Sequence, residues 1–239
     1  MKTLCIAAIL CCAASMASAQ GLLQASCDSD GQPAPAALLE RFVNADCADC
    51  WQDSATPPAG RGQLAIDWIV PGAQGDDAPL SAAQNLDAAL RLQQLGRAAP
   101  QRSTSVPSRV GSRAAPALSL RVARGPMFNG YVGASIKVGR VQAPKSGTAP
   151  LRVWLLVVEQ LPAGTAGSPV ARNLVRNSFE TSLGSENRVA RRGRWQYREL
   201  RPMQMPDGSD PARLQAIGWV QDARGHVLAA AASHCDAGN

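Results

Sequence analysis

Apolar positions recur in two different ways along the chain, and the change falls near residue 118. Before it, "ALLERFV" (37–43) and "QLAIDWIV" (63–70) are short aliphatic runs of the kind that form buried strands. The segment between them has room to start a helix, but Pro57, Pro58 and Gly60 stop it within about two turns. A clearer helix is predicted next. Pro79 suits its first turn, Ala82, Leu86, Ala89 and Leu90 share one face, and Gly96 stands where a C-terminal stop belongs. Strand, helix, strand, helix in that order implies parallel pairing with right-handed crossovers.

From Arg97 to Leu118 the composition turns to Arg, Pro and Ser without an acid, the signature of a linker or long exposed loop. Beyond it the period becomes 2. "YVGASIKV" alternates Val132, Ala134, Ile136 and Val138 against Ser135 and Lys137, and "RWQYREL" sets Trp195 and Tyr197 against Arg194, Gln196 and Arg198. "LRVWLLVVE" (151–159) is apolar on both faces, and "IGWVQDARGHVLAAAA" (217–232) reads as two strands around a tight turn at Asp222 to Gly225. Closely spaced strands with little helical signal point to an antiparallel sandwich. The expected fold class is therefore α+β, a reduced βαβα unit over 36–96 joined by a linker at 97–118 to a β-sandwich over 119–235.

The ends change the cysteine count. Met1 and Lys2, an apolar run from Leu4 to Ala14, and Ala17-Ser18-Ala19 form the three parts of a signal peptide over 1–19. An exposed lead-in follows at 20–35, and 236–239 is a short tail. The apolar run is too short for a permanent span, and no later stretch approaches the ~20 residues that one needs. A periplasmic or secreted location is expected. The net charge of +6 falls by one without Lys2, a mild bias that argues for solubility rather than for any fold. Of seven cysteines, Cys5, Cys11 and Cys12 leave with the signal, and Cys27, Cys47, Cys50 and Cys235 remain. Four cysteines in an oxidising compartment favour two disulfides with three possible pairings, of which 47–50 with 27–235 is the easiest.

Cys47 and Cys50 carry the chemistry the sequence offers, and three readings stay open: redox centre, structural staple and metal clasp. A Cys-x-x-Cys between a strand and a helix N-terminus lets backbone N–H groups stabilise a thiolate on Cys47 while Cys50 resolves the mixed disulfide. Asp46 and Asp49 oppose this, since negative charge beside Cys47 raises its pKa. A redox platform of this type also needs a Pro-bearing loop facing the disulfide, for which Val106-Pro107 is the candidate. Zinc calls for four N or S ligands, and His226 and His234 are the chain's two histidines, one after a turn and one near the end. No metal and no cofactor are expected.

With these segments in order, the chain resembles a family of secreted bacterial thioredoxin-like proteins of unknown function. The likeness rests on Cys47 and Cys50, on Asp67 and Trp68, on "NLVR" at 173–176 and on "WVQDARG" at 219–225. It implies a thioredoxin-like architecture over most of 37–235 and leaves the substrate open.

"ENRVARRGRWQYRELR" (186–201) gathers arginines around Trp195 and Tyr197, and Arg191, Arg192 and Arg194 are its candidate anion-binding group. At period 2 the rings point inward and the arginines lie on a wet face, so a solvated face is the stronger reading; no nucleic-acid partner is expected. Hydrolase motifs such as Gly-x-Ser-x-Gly are missing. Two functions follow as expectations. One is thiol–disulfide exchange or redox scaffolding through Cys47 and Cys50, acting on an exported thiol protein. The other is a non-catalytic envelope interaction module in which the same disulfide locks a loop.

Overall fold

The computed structural model describes residues 27–111, 118–141, 150–183, 189–191 and 194–235, so the expected signal peptide, lead-in up to residue 26 and tail lie outside the described residues. The strand β7 (Leu151–Leu161) organises the molecule. Val153, Leu155 and Val157 point to one side and Trp154, Leu156 and Val158 to the other, and all six are fully buried. A strand apolar on both faces needs a layer on each, and that is what surrounds it.

β7 is central in a seven-stranded sheet completed by β2 (Ala37–Asn44), β3 (Gln63–Val70), β4 (Ser103–Arg109), β8 (Arg172–Leu183), β11 (Leu214–Gln221) and β12 (Val227–Ala232). Its order is β12-β11-β7-β8-β3-β2-β4. One face packs on a six-stranded sheet of order β13-β1-β5-β6-β10-β9. Its strands are β1 (Cys27–Asp28), β5 (Ser119–Phe128), β6 (Tyr131–Val141), β9 (Val189–Arg191), β10 (Arg194–Gln204) and β13 (His234–Cys235). Val132, Ala134, Ile136 and Val138 of β6 fill the space between the sheets, and Lys137 faces water. The other face of the larger sheet packs on the helix α1 (Asp87–Gln94) through Ala88 and Leu92. Four rings line that face in a row, Phe42–Trp68 at 6.2 Å, Trp68–Trp154 at 5.9 Å and Trp154–Trp219 at 5.5 Å.

This overturns the expected α+β arrangement of a thioredoxin-like βαβα unit followed by a separate sandwich. β2 and β3 are parallel, but the crossover between them, residues 45–62, holds a single four-residue 3-10 turn at Ala48–Trp51 and no α-helix. Pro57, Pro58 and Gly60 explain why the turn is not extended. β3 then bridges to β8 through Asp67 and Leu174, which merges the N-terminal strands into the sheet built by the C-terminal ones. The cause is burial. Leu38, Phe42, Ile66 and Trp68 are fully buried in one cluster with Trp154 and Trp219, and the Trp68 ring packs edge-on against Trp154.

Residues 97–118, expected to be a linker, contain β4, which pairs antiparallel with β2 along the sheet edge. A proline in its middle is tolerable at an edge, where one side of the strand has no partner to bond. Past its end, Val110 bridges Val227 of β12, so the two edges of the sheet meet.

The helix also differs. It begins at Asp87 rather than near Pro79, and its inward face is Ala88, Arg91 and Leu92, leaving Leu86 80% exposed. Its end does fall at Gly96, which has φ 65°; Gly96 N–H donates to the Gln93 carbonyl at 3.0 Å and Arg97 N–H to that of Leu92 at 2.9 Å. These two bonds form a Schellman cap, which favours glycine at this position.

Candidate functional site

Strand β2 ends at Asn44, whose side chain accepts from Asp46 N–H at 2.8 Å and so turns the chain out of the sheet. Asp46 in turn accepts from the N–H groups of Ala73 (2.7 Å) and Gln74 (3.2 Å), which anchors the crossover to the loop after β3. A Cβ on Gly72 would overlap the Asp46 carboxylate, so this close approach requires glycine. The turn that follows carries a disulfide between Cys47 and Cys50. Cys47 is half-buried, while Cys50 is fully buried among Val43, Trp51, Ile69 and Leu174.

Electrostatically the turn differs from a thiolate site. Four residues of 3-10 helix have little macrodipole, and the Cys50 N–H is bonded to the Cys47 carbonyl at 3.2 Å. Asp49 is exposed in the first turn of this segment.

Beneath the crossover lies a buried charge cluster. Arg41 of β2 faces Asp67 of β3, and its Nε and Nη2 donate to the two carboxylate oxygens at 2.8 and 2.7 Å. Arg172, at the start of β8, donates Nη1 to the same Asp67 at 3.0 Å, and Asn173 N–H adds a fourth bond at 2.8 Å. The arginines also hold the roof. Arg41 bonds the Pro57 and Ala171 carbonyls, and Arg172 bonds the Trp51 carbonyl and Ser168 Oγ while its guanidinium lies 4.3 Å from the Trp51 ring centre. Burial holds the Arg172 guanidinium below its usual pKa, a pull that Asp67 opposes and Arg41 reinforces. Arginine keeps its charge under such a shift, so two cations share one anion here.

On the opposite face of the sheet a second pair is wholly enclosed. Arg91 of α1 forms a bidentate bridge to Glu40 at 2.8 and 2.7 Å and bonds Gln221 at 2.6 Å, with its guanidinium 5.1 Å from the Trp219 ring centre. This bridge fixes α1 on the sheet.

The remaining sequence candidates lie elsewhere. Val106 and Pro107 sit in β4 opposite Glu40 and Leu39, so the expected substrate loop is an ordered edge strand and does not face the disulfide. At ~3.3 Å per residue, Val106 is roughly 10 Å along the strand from Ser103, the residue paired with Val43 before the crossover. Cys27 and Cys235 are cross-strand partners in β1 and β13 and are joined by a disulfide. Arg191 and Arg194 pair across β9 and β10, and Arg192 lies outside the described residues. His226 Nδ1 is 3.1 Å from Asp222 in the β11–β12 turn. Among the described residues no group of three or more His, Cys, Asp or Glu side chains is placed to hold a metal.

Glu40, Arg41, Asp67, Arg91 and Arg172 were not among the candidates, yet a signal existed for some. A charged residue inside an otherwise apolar run, such as Glu40-Arg41 in "ALLERFV" or Asp67 in "QLAIDWIV", must find a partner when the strand is buried. Arg91 and Arg172 carry no such mark.

No protein-family model matches the chain, and a comparison with curated proteins finds no match. Among solved structures the chain is similar to HBP35 of Porphyromonas gingivalis at 14% identity and a TM-score of 0.46, covering 84% of this chain and 75% of that one. A likeness at that level carries no inference about what this chain does.

Proposed function

We propose that the chain is an exported, non-catalytic binding module in which the 47–50 disulfide is a structural staple. The observation that carries this reading is the burial of Cys50 in an apolar cluster whose Trp51 carbonyl is held by Arg172. Breaking the disulfide would disturb that cluster and the roof over the charge pair, which suits a staple and handicaps a reversible switch. Export is supported by the two disulfides, which persist in oxidising compartments, and a periplasmic or secreted location goes with it. No helix among the described residues is long and apolar enough to cross a membrane.

Half-exposure of Cys47 favours a second reading, thiol–disulfide exchange with an exported thiol protein, because attack needs one reachable sulfur. Equilibration with glutathione buffers, followed by alkylation and mass spectrometry, separates the two. The staple reading expects the 47–50 pair to resist reduction until the chain unfolds, as structural disulfides below about −300 mV do. A potential between about −120 and −270 mV in the folded protein, within the span of known exchangers, would replace it with the redox reading.

A further inference from the structure

The crossover that carries the disulfide also borders a cavity of about 190 Å³ lined by the buried Arg41 and Arg172. That is far above the roughly 15 Å³ that admits one water and below the size of drug-binding clefts, so its natural occupant is a small molecule. Strand register determines what lines it. Val43 pairs with Ser103 and Arg41 with Ser105, so both serine side chains stand on the arginine side of the sheet. The loop 53–57 supplies the remaining wall, with Asp53 and Thr56 half-buried at the mouth.

The charges in this space are divided. Arg41 and Arg172 are 1% and 2% exposed and, among the described residues, share Asp67 as their one salt-bridge partner, which leaves one positive charge deep in the wall. Their hydrogen bonds account for all but three of ten N–H bonds. One on Arg41 Nη1 and one on each Nη of Arg172 have no acceptor among the described residues. Asp53 puts a negative charge at the opening, with Oδ1 tied to Ala55 N–H at 2.8 Å. Positive within and negative at the mouth, over a few residues' width, is the complement of a molecule with both charges.

We propose that this cavity binds a small zwitterion of the α-amino-acid class, its carboxylate against Arg41 and Arg172 and its ammonium toward Asp53. Arginine is the side chain best matched to a carboxylate, because its planar fork presents paired donors. The Ser103 and Ser105 side chains of β4 line the same space. This deepens the binding-module reading by naming what is bound.

Calorimetric titration of the oxidised full chain with L-alanine, acetate, methylamine and inorganic phosphate tests it. Alanine should bind at least tenfold more tightly than acetate, and methylamine should give no saturable heat. Asp53→Asn keeps the acceptor for Ala55 and removes the charge; it should weaken alanine about tenfold, leave acetate no weaker, and leave the thermal midpoint unchanged. Ser105→Trp, on an exposed edge, should abolish binding of both. Equal affinity for alanine and acetate, an unchanged alanine affinity in Asp53→Asn, tighter binding of phosphate than of alanine, or no saturable heat with alanine would each overturn the proposal. The measurement is independent of the redox assay: an easily reduced 47–50 pair would end the staple reading and leave this one standing, and a silent cavity would do the reverse.

Discussion

Replacing Asp67 by Asn removes one charge and almost no volume from the most heavily bonded carboxylate on the sheet. Asp67 is 1% exposed and accepts four hydrogen bonds, three from guanidinium groups and one from Asn173 N–H. Asparagine offers one oxygen in place of two and turns an NH2 group toward donors. Two buried cations are then left without a counterion, and breaking a buried pair in this way costs about 3–5 kcal/mol. Total stabilities run to about 5–15 kcal/mol, so the variant should sit near the edge of folding.

Urea unfolding of the oxidised protein, followed by tryptophan fluorescence, measures the loss. With m near ~2 kcal/mol/M the midpoint should fall by roughly 2 M while m stays constant. Adding Arg172→Met to Asp67→Asn removes one orphaned cation, so the double variant should be more stable than the sum of the singles allows. A loss below ~1 kcal/mol, or strict additivity, would refute the claim that Asp67 neutralises both arginines.

Three further outcomes follow from other parts of the molecule. Cys27→Ser with Cys235→Ser opens a loop with a sequence separation of 208, worth up to about 5 kcal/mol in the chain-entropy model, whereas the 47–50 bond at separation 3 is worth about 2; calorimetric melting of the two double variants should preserve that order. Gly218→Val would bring a Cβ within 2.7 Å of Ile136 Cδ1 and Val122 Cγ1 between the sheets, so thermal unfolding should show a loss of about 1–3 kcal/mol that Ile136→Val partly restores. Partial burial would raise the pKa of Asp222, but bonds from His226 N–H, the His226 ring and Arg224 N–H outweigh it and hold the carboxyl below its usual value. Its stabilisation is therefore present above the unfolded value near ~3.9 and lost as pH falls through the lower folded one. The protection factor of the His226 amide, taken against its intrinsic exchange rate at each pH, should fall across that acid window in the wild type, and protection unchanged through it would contradict the assignment.

What was legible in the sequence divides along physical lines. The alternation in β6, the two-faced apolarity of β7 and the Gly96 stop are local patterns, and each is written in adjacent residues. Pairing is not local. β3 joins β8 by one bridge between Asp67 and Leu174, more than a hundred residues apart, and no periodicity announces it. β4 carries no apolar pattern because "STSVPSR" is polar and holds a proline, both permitted on an edge. The apolar residues of the helix mislead about its inward face because Arg91 points inward to Glu40, an exception to the usual exposure of arginine. In the candidate site the three-residue spacing makes Cys47–Cys50 the easiest of three pairings, and the disulfide is formed, whereas nothing in the spacing marks the arginines that support it. Cysteine spacing is visible in sequence; a shared counterion is a property of three separate strands.

The interleaving of early and late strands has a kinetic consequence. Phe42 and Trp68 cannot be covered until Trp154 arrives from β7, and β1, paired on one side with β5, finds its other partner only in β13, at Cys235. The pairings β2–β4, β3–β8 and β7–β11 therefore close long stretches of chain, and topologies of high contact order fold in milliseconds to seconds rather than microseconds. Two core clusters among the described residues join side chains before residue 100 to side chains after residue 150. The chain should stay open, and a target for chaperones, until nearly all of it is present, after which one cooperative step forms both sheets together.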